Sequence, residues 1–386
     1  MKSDVSAVQL NSQRKVSYTE GALIGVILVI ATKFCTLPSV LAGVARSKAI
    51  WSVVILTAAE LVTAFFAVKT AKCGGLPAFD LPRGVKPGFY AFFSLFFALK
   101  LSAFTREIST YYALSLFENV PVLPVMVLTL IACSVLARKG FMAVGRMLEI
   151  LIWLFVFVFL FVVIFTRTDG NLFNSLAMFS PDVRGMGKGV LQGAAWYGDT
   201  AVIAFLDLGG EETASPHAKG LPIPKDRTKA KRHIAFAAAL FSCVTLFLFY
   251  AVFTSVYGDA AKMTDYAFIK LSAFRANTDE LGSADWPVII LWSVVTTTYL
   301  TSLLLAGQES LFGLAGKENQ KKRSVLPFVL LGAAAILFSM YFLEEEGDYQ
   351  DFMTKVANVF AFVAMGATVA LGILSIAKNK GRKDEK

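Results

Sequence analysis

Apolar runs alternate with short polar stretches along the whole chain. Ten of them reach or approach the ~20 residues that cross a hydrocarbon core at 1.5 Å per residue. They cover residues 21–45, 49–71, 88–117, 120–137, 141–166, 187–210, 233–257, 286–306, 324–343 and 352–377. The pattern predicts an all-α polytopic membrane protein with ten transmembrane helices. Residues 258–286 are amphipathic rather than spanning. Met263, Tyr266, Ala267, Lys270, Leu271 and Phe274 recur there at helical spacing, as in a helix lying on the outer surface or capping a vestibule.

Two of the runs are interrupted in the middle. In the first, GALIGVILVIATKFCTLPSVLAGVA, Lys33 puts a cation near bilayer depth, and Pro38 lacks a donor and crowds the carbonyl of Phe34. Cys35 and Thr36 lie between them. In the sixth, Trp196, Tyr197, Gly198, Asp199 and Thr200 form the interruption, with a glycine to loosen the helix and a carboxylate at mid-depth. Irregular backbone survives in a membrane only when buried in protein or lining a cavity, so both breaks are expected to face inward.

The interruptions open two halves of five spans each. Because five is odd, the halves run in opposite senses, the arrangement of inverted-repeat transporters whose discontinuous helices meet near the midplane. The expected organisation is a tail over 1–20, a first repeat over 21–166 and an extracytoplasmic loop over 167–186. A second repeat over 187–377 follows, with a cytoplasmic basic loop at 211–232 and the amphipathic extracytoplasmic segment at 258–286, and 378–386 form a basic tail.

Composition agrees. The 386 residues are 56% hydrophobic with a mean hydropathy of +0.62, and charged residues are 17% against the ~25% of soluble domains. The net charge of +9 could suggest nucleic acid, but the Lys and Arg residues cluster in alternate loops and no aromatic-interleaved basic patch or zinc spacing accompanies them. Nucleic acid is therefore excluded as a partner, and both termini are expected in the cytoplasm. The four cysteines, Cys35, Cys73, Cys133 and Cys243, are scattered without a CxxC, so neither a metal nor a cofactor is expected. No nucleophile–base pair or metal triad falls at a shared depth, which argues against an enzyme.

The interruptions are the candidate ligand site: Lys33, Phe34, Cys35, Thr36 and Pro38 with Trp196, Tyr197, Gly198 and Asp199. Free N–H groups at the half-helix starts suit a substrate carboxylate, and Asp199 suits an ammonium or pairs with Lys33 when the site is empty. The hydroxyls of Thr297, Thr298 and Thr301 can bond their own helix backbone and can also supply oxygens to a cation, the possible ion site. Arg146 and Glu149 stand at i, i+3, the spacing of a structural ion pair. Glu60, Lys100, Arg106 and Glu107 are ionisable residues in spans that need polar surroundings.

The chain resembles the endospore germination permease family, the B subunit of spore germinant receptors, within the amino acid–polyamine–organocation (APC) superfamily. The resemblance rests on Val16-Ser17-Tyr18-Thr19-Glu20, Lys33-Phe34-Cys35-Thr36-Leu37-Pro38-Ser39, Lys48-Ala49-Ile50-Trp51 and the stretch from Gly140 to Glu149. Asp285-Trp286 departs from the acidic-arginine pair usual in the family before the eighth span. The resemblance implies an APC/LeuT-like fold with broken helices 1 and 6 and a site for an amino-acid-like ligand. It also implies A-type and C-type partner subunits and a place in the inner spore membrane. An H⁺- or Na⁺-coupled amino acid transporter of the cell membrane is the alternative within the same superfamily.

Overall fold

The computed structural model describes residues 16–45, 48–78, 84–115, 120–167, 183–208, 225–273, 286–316, 326–343 and 345–384. Most of the N-terminal tail lies outside the described residues, as do parts of the loops expected at 167–186 and 211–232. So do the end of the amphipathic segment from Phe274 and the basic cluster at 317–325. The described chain is helical. Among the described residues six helices are long and apolar enough to cross a membrane, and the pair 18–34 and 37–45, bent by 58° at its break, passes the same test when taken together. Two shorter apolar helices, Val122–Ala137 and Leu326–Phe342, accompany them. The molecule is an integral membrane protein.

In chain order the helices are α1 (Tyr18–Ile30), continued by a 3-10 turn at Ala31–Phe34, α2 (Leu37–Ala45), α3 (Ala49–Ala71) and the single turn α4 (Gly75–Ala78). Then come α5 (Val85–Ser115), α6 (Val122–Ala137), α7 (Phe141–Arg167) and α8 (Val183–Gly193). After α8, 3-10 segments at Ala194–Trp196 and Asp199–Phe205 precede α9 (Lys225–Tyr257), α10 (Ala267–Ala273), α11 (Trp286–Leu314), α12 (Leu326–Phe342), α13 (Glu346–Asp351) and α14 (Asn358–Asp384).

Burial sorts these helices. The apolar stretch of α11 is 78% buried and that of α5 56%, against 33–44% for the other long helices. These two pack along one another through the middle of the bundle, α3 packs on α14, and α1 lies between α7 and α9. The start of α1 is fixed by a capping box: Ser17 Oγ accepts from the Glu20 N–H, and Glu20 reaches back to the Ser17 N–H.

Three expectations need correcting. The helix expected from His233 begins at Lys225, because Lys225–Arg232 contains no Pro or Gly after Pro224 and is rich in good helix formers. The amphipathic segment is not one helix. A 3-10 turn at Gly258–Met263 is separated from α10 by Tyr266 at φ 53°, because the Ala267 N–H is turned to donate to the Cys35 carbonyl. The short α10 buries Ala267, Phe268 and Leu271 over the first break, while Met263 and Lys270 stay exposed. The sixth span does not resume as an α-helix after its break but as the 3-10 run Asp199–Phe205, which ends in extended backbone at Leu206.

Close helix packing depends on glycine at Gly372, where a Cβ would stand 2.5 Å from Phe66 Cβ and 2.8 Å from its Cα. Gly372→Leu is expected to cost about 1–3 kcal/mol through overpacking of α14 against α3. A lowered thermal midpoint in detergent checks it, with Gly366→Ala, where a Cβ meets open space, leaving the midpoint unchanged.

Candidate ligand site

The first break follows from Pro38. With no N–H at Pro38 and a ring that crowds the preceding turn, α1 tightens to 3-10 over Ala31–Phe34 and stops at Cys35 (φ −85°, ψ −111°) before α2 starts at Leu37. The freed backbone groups find partners. The Tyr250 hydroxyl donates to the Lys33 carbonyl at 3.0 Å, and the Ala267 N–H donates to the Cys35 carbonyl at 3.1 Å. The Thr36 N–H donates to Glu107 Oε1 at 3.0 Å and the Thr36 hydroxyl to the same oxygen at 2.5 Å.

The second break turns on Gly198. Tyr197 is extended and Gly198 takes φ 86°, a conformation open to glycine and strained for other residues, with the Ala361 carbonyl 3.3 Å from where a Cβ would be. Glu60 from α3 closes the following turn, accepting from the N–H groups of Gly198 and Thr200. Asn358 Oδ1, at the start of α14, accepts from the Ala195 N–H. The Thr32 hydroxyl donates to the Trp196 carbonyl at 3.3 Å, joining the two breaks directly.

Between the breaks lies a buried charge cluster. Lys33 Nζ stands 3.3 Å from Asp199 Oδ2 and donates to the Leu28 carbonyl at 3.0 Å. Lys100 Nζ, from α5, stands 2.7 Å from Asp199 Oδ1 and donates to the Tyr197 carbonyl at 2.9 Å. Lys33 also lies over the Tyr197 ring, 4.9 Å from its centroid. Both lysines and Asp199 are at most 3% exposed. With Glu60, two ammonium groups and two carboxylates balance at the centre.

Of the residues that the sequence suggests, Lys33, Thr36, Tyr197, Gly198 and Asp199 line or join the two breaks. Sequence reasoning leaves Lys100, Glu60 and Glu107 out of the site. Their one signal in the sequence is an ionisable side chain at membrane depth. The expected free N–H groups at the half-helix starts are not free. Glu107 occupies the first and Glu60 the second, so the protein supplies at both places the carboxylate that a substrate was expected to bring.

Other expected site residues stand elsewhere. Phe34 is in an aromatic stack, with ring centroids 4.1 Å from Phe249, 5.7 Å from Trp292 and 5.9 Å from Phe159, so it packs α1 rather than facing the charges. The Cys35 thiol points back to the Ala31 carbonyl at 3.9 Å, and Pro38 is buried at the first turn of α2. Trp196 is fully buried, and its Nε1 has no hydrogen-bond partner among the described residues. On α5, the buried hydroxyls of Thr105 and Ser109 also lack one.

The threonine cluster is tied into its own helix. Thr297, Thr298 and Thr301 donate to the carbonyls of Ser293, Val294 and Thr297 respectively, at 2.7–2.9 Å. The Cys133 thiol of α6 points to the Thr297 carbonyl, so that side of α11 meets α6. Arg146 does not pair with Glu149. Its Nε reaches Glu20 Oε1 at 3.6 Å, since close passage of Gly145 against Glu20 brings α7 onto the start of α1 and leaves Glu149 exposed.

A cavity of about 230 Å³ lies on the side of the breaks away from the start of α1. Thr36, Arg106, Asp265, Glu345 and Tyr349 line it, and Glu107 forms part of its wall. The Tyr349 hydroxyl donates to Glu107 Oε2 at 2.7 Å, and the Ser39 hydroxyl donates to Asp265 Oδ1 at 2.7 Å.

No protein-family model matches the chain, and no curated protein matches it. Solved structures do. The chain is similar to a manganese transporter of Eremococcus coleocola in complex with an aromatic bis-isothiourea substituted compound, at 15% identity and a TM-score of 0.55. It is similar to a mutant of that transporter, in which one histidine is replaced by alanine, at 14% identity and a TM-score of 0.58. In both, the alignment covers 92% of this chain and 78% of the other. The chain shares the fold of these transporter structures. At this identity the likeness is of fold and carries no substrate.

Removing one member of the buried cluster strands the others. Asp199→Asn is expected to destabilise by about 3–5 kcal/mol, because two ammonium groups lose their shared partner. Adding Lys33→Met is expected to restore part of that loss. A double-mutant cycle on unfolding in detergent measures the coupling, and additive effects would show that Lys33 and Asp199 do not interact.

Proposed function

We propose that the chain is a transporter of a small amino-acid-like molecule, built as ten spans in two inverted five-helix repeats and binding its substrate between broken helices 1 and 6. The observation that carries this reading is the Lys33–Asp199–Lys100 cluster, held where the two breaks are joined. Transporter sites lie at such breaks, and an ionisable residue inside a membrane marks a substrate or ion path. A zwitterion meets both of its needs there, with lysine ammonium groups for its carboxylate and Asp199 for its ammonium. The Trp196 indole at the second break, which has no hydrogen-bond partner among the described residues, is a further donor for a polar ligand.

The proposed coupling ion is the proton rather than sodium. Lys33 already supplies a fixed cation at the first break, where it stands in for a metal cation. A divalent metal is not the proposed cargo. Two ammonium groups hold the centre, and among the described residues no group of three or more His, Cys, Asp or Glu could hold a metal. Both termini are proposed to be cytoplasmic, from the placement of Lys and Arg in alternate loops.

The germinant-receptor reading rests on the short motifs around Glu20, Pro38, Trp51 and Glu149. It would add A-type and C-type subunits and the inner spore membrane. The same site would then report ligand binding rather than pass the ligand.

Reconstituted vesicles separate the two. The transporter reading expects accumulation of at least one radiolabelled amino acid, driven by an inward proton gradient and unchanged when choline replaces sodium. Lys33→Ala and Asp199→Asn should each reduce uptake at least a hundredfold. Saturable binding of an amino acid without accumulation by the wild-type chain would overturn transport and favour the receptor.

A further inference from the structure

A second and larger cavity, about 700 Å³, opens away from the charge cluster, between the first half of the broken helix and α3 and α9. Small residues line it on three helices: Gly21, Ala22 and Gly25 on α1, Ala64 on α3, and Ala235, Ala238 and Ala239 on α9. Its lining is otherwise almost wholly apolar, and its rim carries exposed Phe65 and Phe236. The cleft therefore opens to the hydrocarbon rather than to water.

Its length and polarity point to one kind of occupant. On α1 the lining runs from Tyr18 to Val29 and along α3 and its C-cap from Leu61 to Lys72, eleven residue steps in each case. At 1.5 Å per residue that is about 16 Å, close to half of a ~30 Å hydrocarbon core. The cleft thus spans one leaflet. All its charge is at the end where a headgroup would lie: Lys69 Nζ sits over the Phe65 ring at 5.1 Å and Lys72 Nζ over the Tyr18 ring at 5.0 Å. Basic clefts between transmembrane helices favour anionic lipid headgroups.

We propose that this cleft is a binding site for one anionic phospholipid, with an acyl chain laid along α1 and the phosphate between Lys69 and Lys72. The bound chain wedges α1 apart from α3 and α9. It also touches Ile203 and Leu208, which follow the second break and meet Gly25 and Gly21. Lipid occupancy would then bias the position of the half-helix that ends at Lys33. The site does not depend on what the central cluster carries.

Native mass spectrometry of the purified full chain, titrated with equimolar phosphatidylglycerol and phosphatidylcholine, tests this. The wild type should hold one phospholipid and prefer phosphatidylglycerol by at least fivefold. Lys69→Gln and Lys72→Gln, which leave the apolar packing untouched, should each weaken phosphatidylglycerol about fivefold and leave phosphatidylcholine unchanged. Ala64→Phe with Ala239→Phe should remove the bound lipid while the thermal midpoint shows the variant folded. Equal retention of the two lipids by the wild type, or a preference that survives both lysine substitutions, would overturn the proposal.

Discussion

Every backbone group at membrane depth must find a partner inside the protein, and this chain breaks two helices there. The cost of that choice organises the rest of the molecule. The first break is closed by Glu107 from α5, Tyr250 from α9 and the backbone of α10. The second is closed by Glu60 from α3, Lys100 from α5 and Asn358 at the start of α14. Neither interruption could exist in an isolated helix. Each is held open by side chains from spans distant in sequence, so the breaks and the bundle define one another.

The same closure explains the charges. Asp199 brings a carboxylate into the buried centre of the protein, which is unfavourable by several kcal/mol unless it is paired. Two lysines answer it, and each also donates to a backbone carbonyl beside a break. The cluster thus does two jobs with one set of atoms. It neutralises a buried anion and satisfies broken backbone, which makes it sensitive to any ligand that competes for either partner.

The sequence was most legible where a rule is local. Pro38 marks the break in the first span and Gly198 the break in the sixth, because ring geometry and the left-handed backbone act within a turn. The helix Ala49–Ala71 matches its apolar run, which holds no Pro or Gly to interrupt it. What was illegible was the choice of partner. Arg146 has Glu149 at helical spacing and takes Glu20 from another helix, since a glycine lets α7 approach α1. Glu60, Lys100 and Glu107 could be seen to need company, but only folding shows that two of them fill the half-helix starts a substrate carboxylate was expected to fill. Phe34 adjoins Lys33 in sequence yet faces an aromatic stack, because the tightened turn points neighbouring side chains to different helices.

The Lys33–Asp199 pair also has a history in time. Its members are 166 residues apart, so at 5–20 residues per second the lysine is made roughly 8–33 seconds before its partner. The second cation, Lys100, also precedes Asp199. Until the segment that carries Asp199 has been made, neither lysine can have the partner it has in the finished fold. The order of the segments along the chain thus sets the earliest moment at which the core can close.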